Sequence, residues 1–305
     1  MRIVKALKTV NYHLWLAILA TMLLPTVYQT VRIYFLGDLP SDSGINIASQ
    51  LQWVNLFYEV VQEALILPLF FLLGKSLGDE KEFANKVRTG LTATAVIYAV
   101  VSIVIISCAR PLVIFMAQDD TLIDATVTYI RLETVAALFS TLWRFMMTVL
   151  VTLKKDRYLY IVLGVQMALS VLLDTFFVSN LSVSAKLGVN GIAITNITVN
   201  ALILICAVFL LQRENIRLFS KEKWSFAWLK EWFKVGKFSG LESLLRNLAF
   251  LLMIVRMVNI VAEQGNYWLA NNFIWACFSR PRPSLQRRGR RGSRRPILRA
   301  ADHSW

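Results

Sequence analysis

Gln52, Asn55, Glu59 and Glu63 recur at spacings of three, four and four, so a helix through them carries all four on one face. Surrounded by hydrocarbon, such carboxylates have one useful chemistry, the uptake and release of a proton or small cation. Burial raises their proton affinity and a nearby arginine lowers it. Similar stripes recur along the chain. Thr21, Pro25, Tyr28 and Arg32 share a face, and Pro25 can kink its helix and free backbone carbonyls. Arg131, Glu133 and Arg144 fall in one apolar stretch, and Gln166, Ser170 and Asp174 in the next. Asn196 and Asn200 follow at a spacing of four, and Glu242 with Arg246 at the same spacing later on.

Depth sorts these groups. At about 1.5 Å rise per residue, Arg32 and Asp174 lie roughly 7 and 6 Å inside one surface, and Glu59 and Arg131 roughly 18 and 12 Å. Arg32 is therefore matched to Asp174, and Glu59 to Arg131, while Arg32 and Glu59 are poorly matched. Two readings stay open. Glu59 or Glu63 exchanges a proton or cation in a water-filled cavity, or the charges form an ion-pair network that holds helices together. An enzyme is not expected. The histidines, His13 and His303, lie near the ends, and Cys108, Cys206 and Cys277 show no metal-site or disulfide spacing. No cofactor is expected beyond a transported H+ or Na+.

The elements that position these residues are hydrophobic. The 305-residue chain is 56% apolar, against about 45–50% for a soluble domain, and its mean hydropathy is +0.55. A spanning helix needs about 20 mostly apolar residues. Seven stretches qualify: Leu14–Leu36, Ile47–Leu73, Leu91–Phe115, Ile123–Leu153, Tyr158–Val178, Val189–Leu211 and Lys237–Ile260. An eighth begins near Tyr267. The first is too long for a signal-peptide core of about 7–15 residues, and no small-x-small cleavage site follows it, so an uncleaved helix is expected.

Charge alternates between the loops. Arg2, Lys5 and Lys8, then Lys75, Lys81, Lys86 and Arg88, then Lys154, Lys155 and Arg157, then Arg213 to Lys237 fall on one side. The opposite loops carry Asp38, Asp42, Asp119 and Asp120, with only Lys186 and the borderline Arg110. The positive-inside rule puts the N-terminus in the cytoplasm. It also explains the +14 charge without nucleic acid. Glu214–Val235 mixes Phe and Trp with Lys and Glu and reads as an interfacial amphipathic helix against anionic lipid. From Phe278 the chain is rich in arginine and free of lysine, a change abrupt enough to expect an aberrant or disordered tail. The expected division is a six-helix lobe over 1–212, an inter-lobe segment over 213–236, a seventh helix and the start of an eighth over 237–276, and the tail over 277–305.

A weak internal repeat relates Pro25–Arg32 to Ser239–Arg246 and Ala48–Trp53 to Ala270–Trp275. It suggests a second, parallel half starting near residue 230, as in transporters whose substrate path runs between halves.

Leu173-Asp174-Thr175-Phe176-Phe177, Gly188-Val189-Asn190-Gly191-Ile192-Ala193-Ile194-Thr195 and Gly240-Leu241-Glu242-Ser243 resemble, in order and spacing, the end of the fifth helix and the starts of the sixth and seventh helices of the multidrug and toxic compound extrusion (MATE) family. The match covers about residues 10–276. The resemblance implies an all-α, polytopic bundle: the N-terminal lobe and seventh helix of a twelve-helix antiporter that exports cationic, lipophilic compounds in exchange for protons or sodium. It implies a multi-pass protein of the bacterial inner membrane, monomeric when complete, with lipids and small cationic drug-like substrates as partners. Family members often carry a coupling Asp in the first helix. Here Arg32 stands in that helix without an Asp, which leaves the task to Glu59 and Glu63. A lipid-linked glycan flippase, served by intramembrane Arg32, Arg131, Arg144, Arg246 and Arg256, and a non-transporting fragment are the alternatives.

Overall fold

Runs of apolar residues as long as a bilayer is thick satisfy their backbone only as helices, and helices are what form. The computed structural model describes residues 28, 30–37, 43–155, 157–216, 218, 224–261, 263, 266–268, 270, 271 and 274. Residues 30–37 and Tyr28 are helical (α1). Then come Ser43–Lys75 (α2, interrupted by a turn at Gln50), Glu80–Phe115 (α3), Ile123–Thr152 (α4), Arg157–Phe177 (α5), Val189–Arg213 (α6) and Leu229–Ile260 (α7). α2 to α7 are each long and apolar enough to cross a membrane. Among the described residues there is no strand. The start of the first expected helix, with Thr21 and Pro25, and the arginine-rich tail lie outside the described residues. Helical backbone at 266–268, 270, 271 and 274 falls where the eighth stretch was expected.

Three expected boundaries move. α3 starts at Glu80, not Leu91, because Asp79 caps it. Its carboxylate accepts from the Lys81 and Glu82 amides at 3.0 Å each. Hydropathy marks where a helix enters hydrocarbon, not where it begins. α7 starts at Leu229, and the described residues before it in the stretch expected as one interfacial helix over Glu214–Val235, namely 214–216, 218 and 224–228, are not helical. The last turns of that stretch are the first turns of α7. They enter the bundle because Trp232 is buried and donates Nε1–H to the Leu65 carbonyl at 2.8 Å. α2 starts at Ser43, ahead of Ile47.

α4 is the centre of the bundle. It packs along α6 and against α3, α5 packs on α6, and α2 is flanked by α4 and α7. Valine and isoleucine at Val96, Val100, Ile103 and Val104 of α3, and Leu172 and Phe176 of α5, face outward. In water these would be liabilities; in a bilayer they are the contact with lipid. Three helices end in the same way. Ala117, Lys154 and Asn215 take positive φ just after α3, α4 and α6. The next amides, of Gln118, Lys155 and Ile216, return to the carbonyls of Val113, Leu150 and Leu211. Beside the last of these turns, Lys155 sits 3.0 Å from Glu214 and, with the Tyr158 hydroxyl, holds that carboxyl below the usual carboxylate range. This tie is present at neutral pH and is lost as pH falls through the lowered value.

Gly164 lies inside α5 with open space where a Cβ would stand. Gly164→Ala should therefore gain about 0.8–1.0 kcal/mol of helix propensity and raise the thermal midpoint by about 2–4 °C. A lower midpoint in a detergent melt would show that the position is packed after all.

Candidate functional site

Three polar clusters lie between the membrane-length helices or at their ends. In the first, α1, α4, α5 and α6 bring together Arg32, Glu133, Asp174 and Asn196. Arg32 donates Nε to Asp174 Oδ2 at 3.0 Å and Nη2 to Oδ1 at 3.3 Å, a two-pronged pair. The same Nη2 reaches Asn196 Oδ1 at 2.9 Å, and Asn196 Nδ2 donates to Glu133 Oε1 at 2.6 Å. Tyr28 donates to Asp174 at 3.4 Å and lies under the guanidinium, 4.6 Å from its ring centre. Asn200 passes its amide to the Asn196 carbonyl and accepts from Trp143 Nε1, both at 2.8 Å. Asp174 is 1% exposed and Glu133 4%. This network, joined by a hydrogen bond from the Tyr129 hydroxyl to Glu133, stands in for the water they have lost. The Arg32–Asp174 pair expected from depth is present. The loop entering α6 explains the glycines of the Gly188–Thr195 motif. Gly188 has φ +59°, and a Cβ on Gly191 would stand 2.9 Å from the Phe177 carbonyl oxygen.

The second cluster lies along the seam of α2 and α7. Arg246 Nη2 donates to Glu63 at 2.7 Å and reaches Glu59 at 3.4 Å, with Glu242 also in its field. Gln52 is half-buried and Asn55 exposed on the same α2 stripe. Here an expectation fails. Glu59 does not meet Arg131, whose Nε turns away to the Ile106 carbonyl at 3.2 Å. Rise per residue gave the depth of Arg131 but not its direction, and α4 points Glu133, two residues on, into the bundle instead. Arg131 and Glu59 therefore share no cleft. The arginines named for a pyrophosphate cavity have separate partners, with Arg144 over the Trp143 ring. Arg32 is held by Asp174, Arg131 by Ile106, Arg246 by Glu63, and Arg256 by the Phe115 carbonyl at 3.1 Å.

The seam is close because of a proline and two glycines. Pro68 has no N–H, so the Ala64 carbonyl of α2 lacks its helical donor. Gly236 fills the gap. A Cβ there would lie 2.1 Å from the Ala64 oxygen, so its Hα points at that carbonyl. One turn on, a Cβ at Gly240 would lie 2.8 Å from the Ala64 Cβ. The spacing is the small-xxx-small pattern of membrane helix contacts. Trp232 on Leu65, Ser239 on Glu63 and Asn247 on Leu56 each donate to an α2 carbonyl.

The third cluster was not foreseen. Gln50 and Asn259 exchange side-chain amides, Gln50 Nε2 to Asn259 Oδ1 at 3.1 Å and Asn259 Nδ2 to Gln50 Oε1 at 3.0 Å. Gln50 also donates to Gln118 at 3.2 Å and accepts from Trp53 Nε1 at 2.9 Å. Asn259 reaches the Met116 carbonyl at 2.7 Å, and Gln118 reaches Thr126 at 2.9 Å. All three amides are buried. Gln50 stood in the repeat segment Ala48–Trp53, the one signal that could have drawn attention to it.

Neither a protein-family model nor a curated protein matches the chain in sequence. Solved structures do match in shape. A point mutant of the Vibrio cholerae MATE transporter VcmN superposes with a TM-score of 0.70 at 15% identity, over 87% of this chain and 60% of that one. A MATE in complex with MaD3S gives 0.62 at 15% identity over 83% and 66%. An outward-facing multidrug resistance MATE family transporter of the MOP superfamily gives 0.55 at 16% identity over 85% and 65%. The chain is a multi-pass membrane helical bundle. Its fold is MATE-like, and it spans about three-fifths of the VcmN chain's length.

Proposed function

We propose that this chain belongs to an efflux antiporter that exports cationic, lipophilic compounds in exchange for protons or sodium, with the α2–α7 seam on the substrate route. One observation carries the reading. Between two helices long and apolar enough to cross a membrane, Glu59 and Glu63 bond a single Arg246, with Glu242 one turn before it on α7, on a face that is exposed at Glu59, Glu242 and Arg246. Three carboxylates against one guanidinium leave the strip negative, and a low-dielectric negative strip favours a cation. The MATE-like shape supports the same conclusion. In this reading α1 to α6 form the first lobe, α7 opens the second, and the lysine-rich loops face the cytoplasm of a bacterium.

The test is ethidium export from proteoliposomes under an imposed pH or sodium gradient. Glu59→Gln and Glu63→Gln should each reduce export to background, because a neutral amide cannot alternate between proton or cation and drug. Retained export in both variants at normal protein levels would refute the route. Lipid-linked sugar transport in place of ethidium export would refute the substrate class.

A further inference from the structure

We infer that Gln50, Gln118 and Asn259 form a latch that seals the seam between α2 and α7 at the end away from the lysine-rich loops, and that the latch parts when α7 swings. The inference rests on the transport reading for its purpose but not for its geometry.

The two ends of the seam are built differently. Near the lysine-rich loops α7 is held by shape, with Gly236 and Gly240 pressed on the Ala64 backbone and side chain, Trp232 buried, and Lys75 paired with Glu231 at 3.0 Å. Contacts made by backbone cannot loosen without parting the helices. At the other end, beside the buried Leu251, Val255 and Val258, the polar hold on α7 is hydrogen bonds among uncharged amides, joined by the Arg256 bond to the Phe115 carbonyl. Such bonds can be exchanged for water at little net cost, but only together. Each amide is satisfied by the others, so breaking one strands its partners in apolar surroundings. That gives two discrete states and not a gradual loosening.

Both partners also sit at irregular backbone. Gln50 occupies the turn that divides Ser43–Ser49 from Leu51–Lys75. Asn259 lies just beyond a π turn over Leu251–Val255, between the glycine seam and the latch. A π turn holds one residue more than the helical ladder needs and can absorb bending there. The order along α7 is thus a fixed inner half, a compliant turn and a releasable amide.

The test is chemical access to the buried face behind the latch. Val54 is 0% exposed and lies one turn from Gln50 on the same face of α2. The chain, with Cys108, Cys206 and Cys277 replaced by alanine and Val54→Cys added, is placed in lipid nanodiscs and treated with a charged maleimide. Gln50→Leu, or Asn259→Leu, should speed labelling roughly tenfold, the factor expected from losing two or three interhelical hydrogen bonds. The exchange Gln50→Asn with Asn259→Gln restores an amide pair and should return labelling to the parent rate. Unchanged labelling in the leucine variants overturns the latch. So does fast labelling in the exchanged pair, since that would show a requirement for shape alone. A parallel reporter, Ala207→Cys, buried on α6, must stay unlabelled. If it reacts, the leucine variant has unfolded, and the milder Asn259→Ala decides by the same criteria. Because labelling needs no transport, a chain that labels as expected but exports no ethidium would sink the proposed function and leave the latch standing.

Discussion

Arg32→Leu should lower the thermal midpoint of the purified chain by about 10 °C, the largest loss expected from any single side chain. The substitution removes the guanidinium that pairs with the buried Asp174 and lies one amide away from the buried Glu133. Asp174, with 2% of its side chain exposed, loses its ion-pair partner, and Glu133 is left with the neutral Asn196 amide and Tyr129 hydroxyl. Breaking a buried pair by deleting one partner costs about 3–5 kcal/mol, and in a domain of this size each kcal/mol is worth about 2–4 °C. The two partners are not equivalent. Asp174→Asn leaves Arg32 with Glu133 as a counter-charge one amide away, so it should cost clearly less than Arg32→Leu. The double variant Arg32→Leu with Asp174→Leu should recover most of the loss, since it strands no charge at that pair. Fluorescence-detected melts of the four proteins decide the matter. Additive losses in the double variant would mean that the two residues do not act as a pair.

The second large effect is steric. Gly236→Ala places a methyl 2.1 Å from the Ala64 carbonyl oxygen, which belongs to backbone and cannot turn aside. The helices must part, at about 3 kcal/mol or more, the upper end of overpacking costs. Gly240→Ala meets only the Ala64 methyl at 2.8 Å. Ala64→Gly should therefore rescue Gly240→Ala but leave Gly236→Ala as damaged as before. This difference in rescue, read in the same melts, separates a backbone clash from a general intolerance of larger residues along α7. Equal rescue of both would show that the seam repacks freely.

Much of this architecture was legible in the sequence, for reasons that differ from element to element. α2 to α7 declared themselves because the bilayer sets a minimum length of apolar residues. The Arg32–Asp174 pair was legible because both lie near the ends of their helices, where rise per residue gives depth with little accumulated error. Glu59 was misassigned for the complementary reason. Arg131 lies at a compatible depth, but two residues separate it from Glu133 by more than half a turn, and only packing against α6 shows which of them faces inward. Its true partner, Arg246, lies 187 residues from Glu59 along the chain, beyond anything periodicity can report. The Gly236–Gly240 spacing was in plain view but overlapped a stretch whose tryptophans drew attention to the membrane surface. The Gln50, Gln118 and Asn259 cluster left almost no trace, because uncharged amides barely interrupt an apolar run and Gln118 falls in a loop.

The extra turns that Asp79 initiates have a mechanical outcome. α3 has 36 residues, about 54 Å of rod at 1.5 Å each, against about 30 Å of hydrocarbon. Its overhang grips the strap that leads into α7. Asn85 exchanges hydrogen bonds with both backbone groups of Ser225, at 2.9 Å each, and Thr89 receives Trp228 Nε1 at 2.8 Å. The near end of α7 is thereby tethered to α3. A rod pinned at its foot can tilt like a mast but cannot slide like a piston, so excursions of α7 are smallest beside the lysines and widest at the opposite rim.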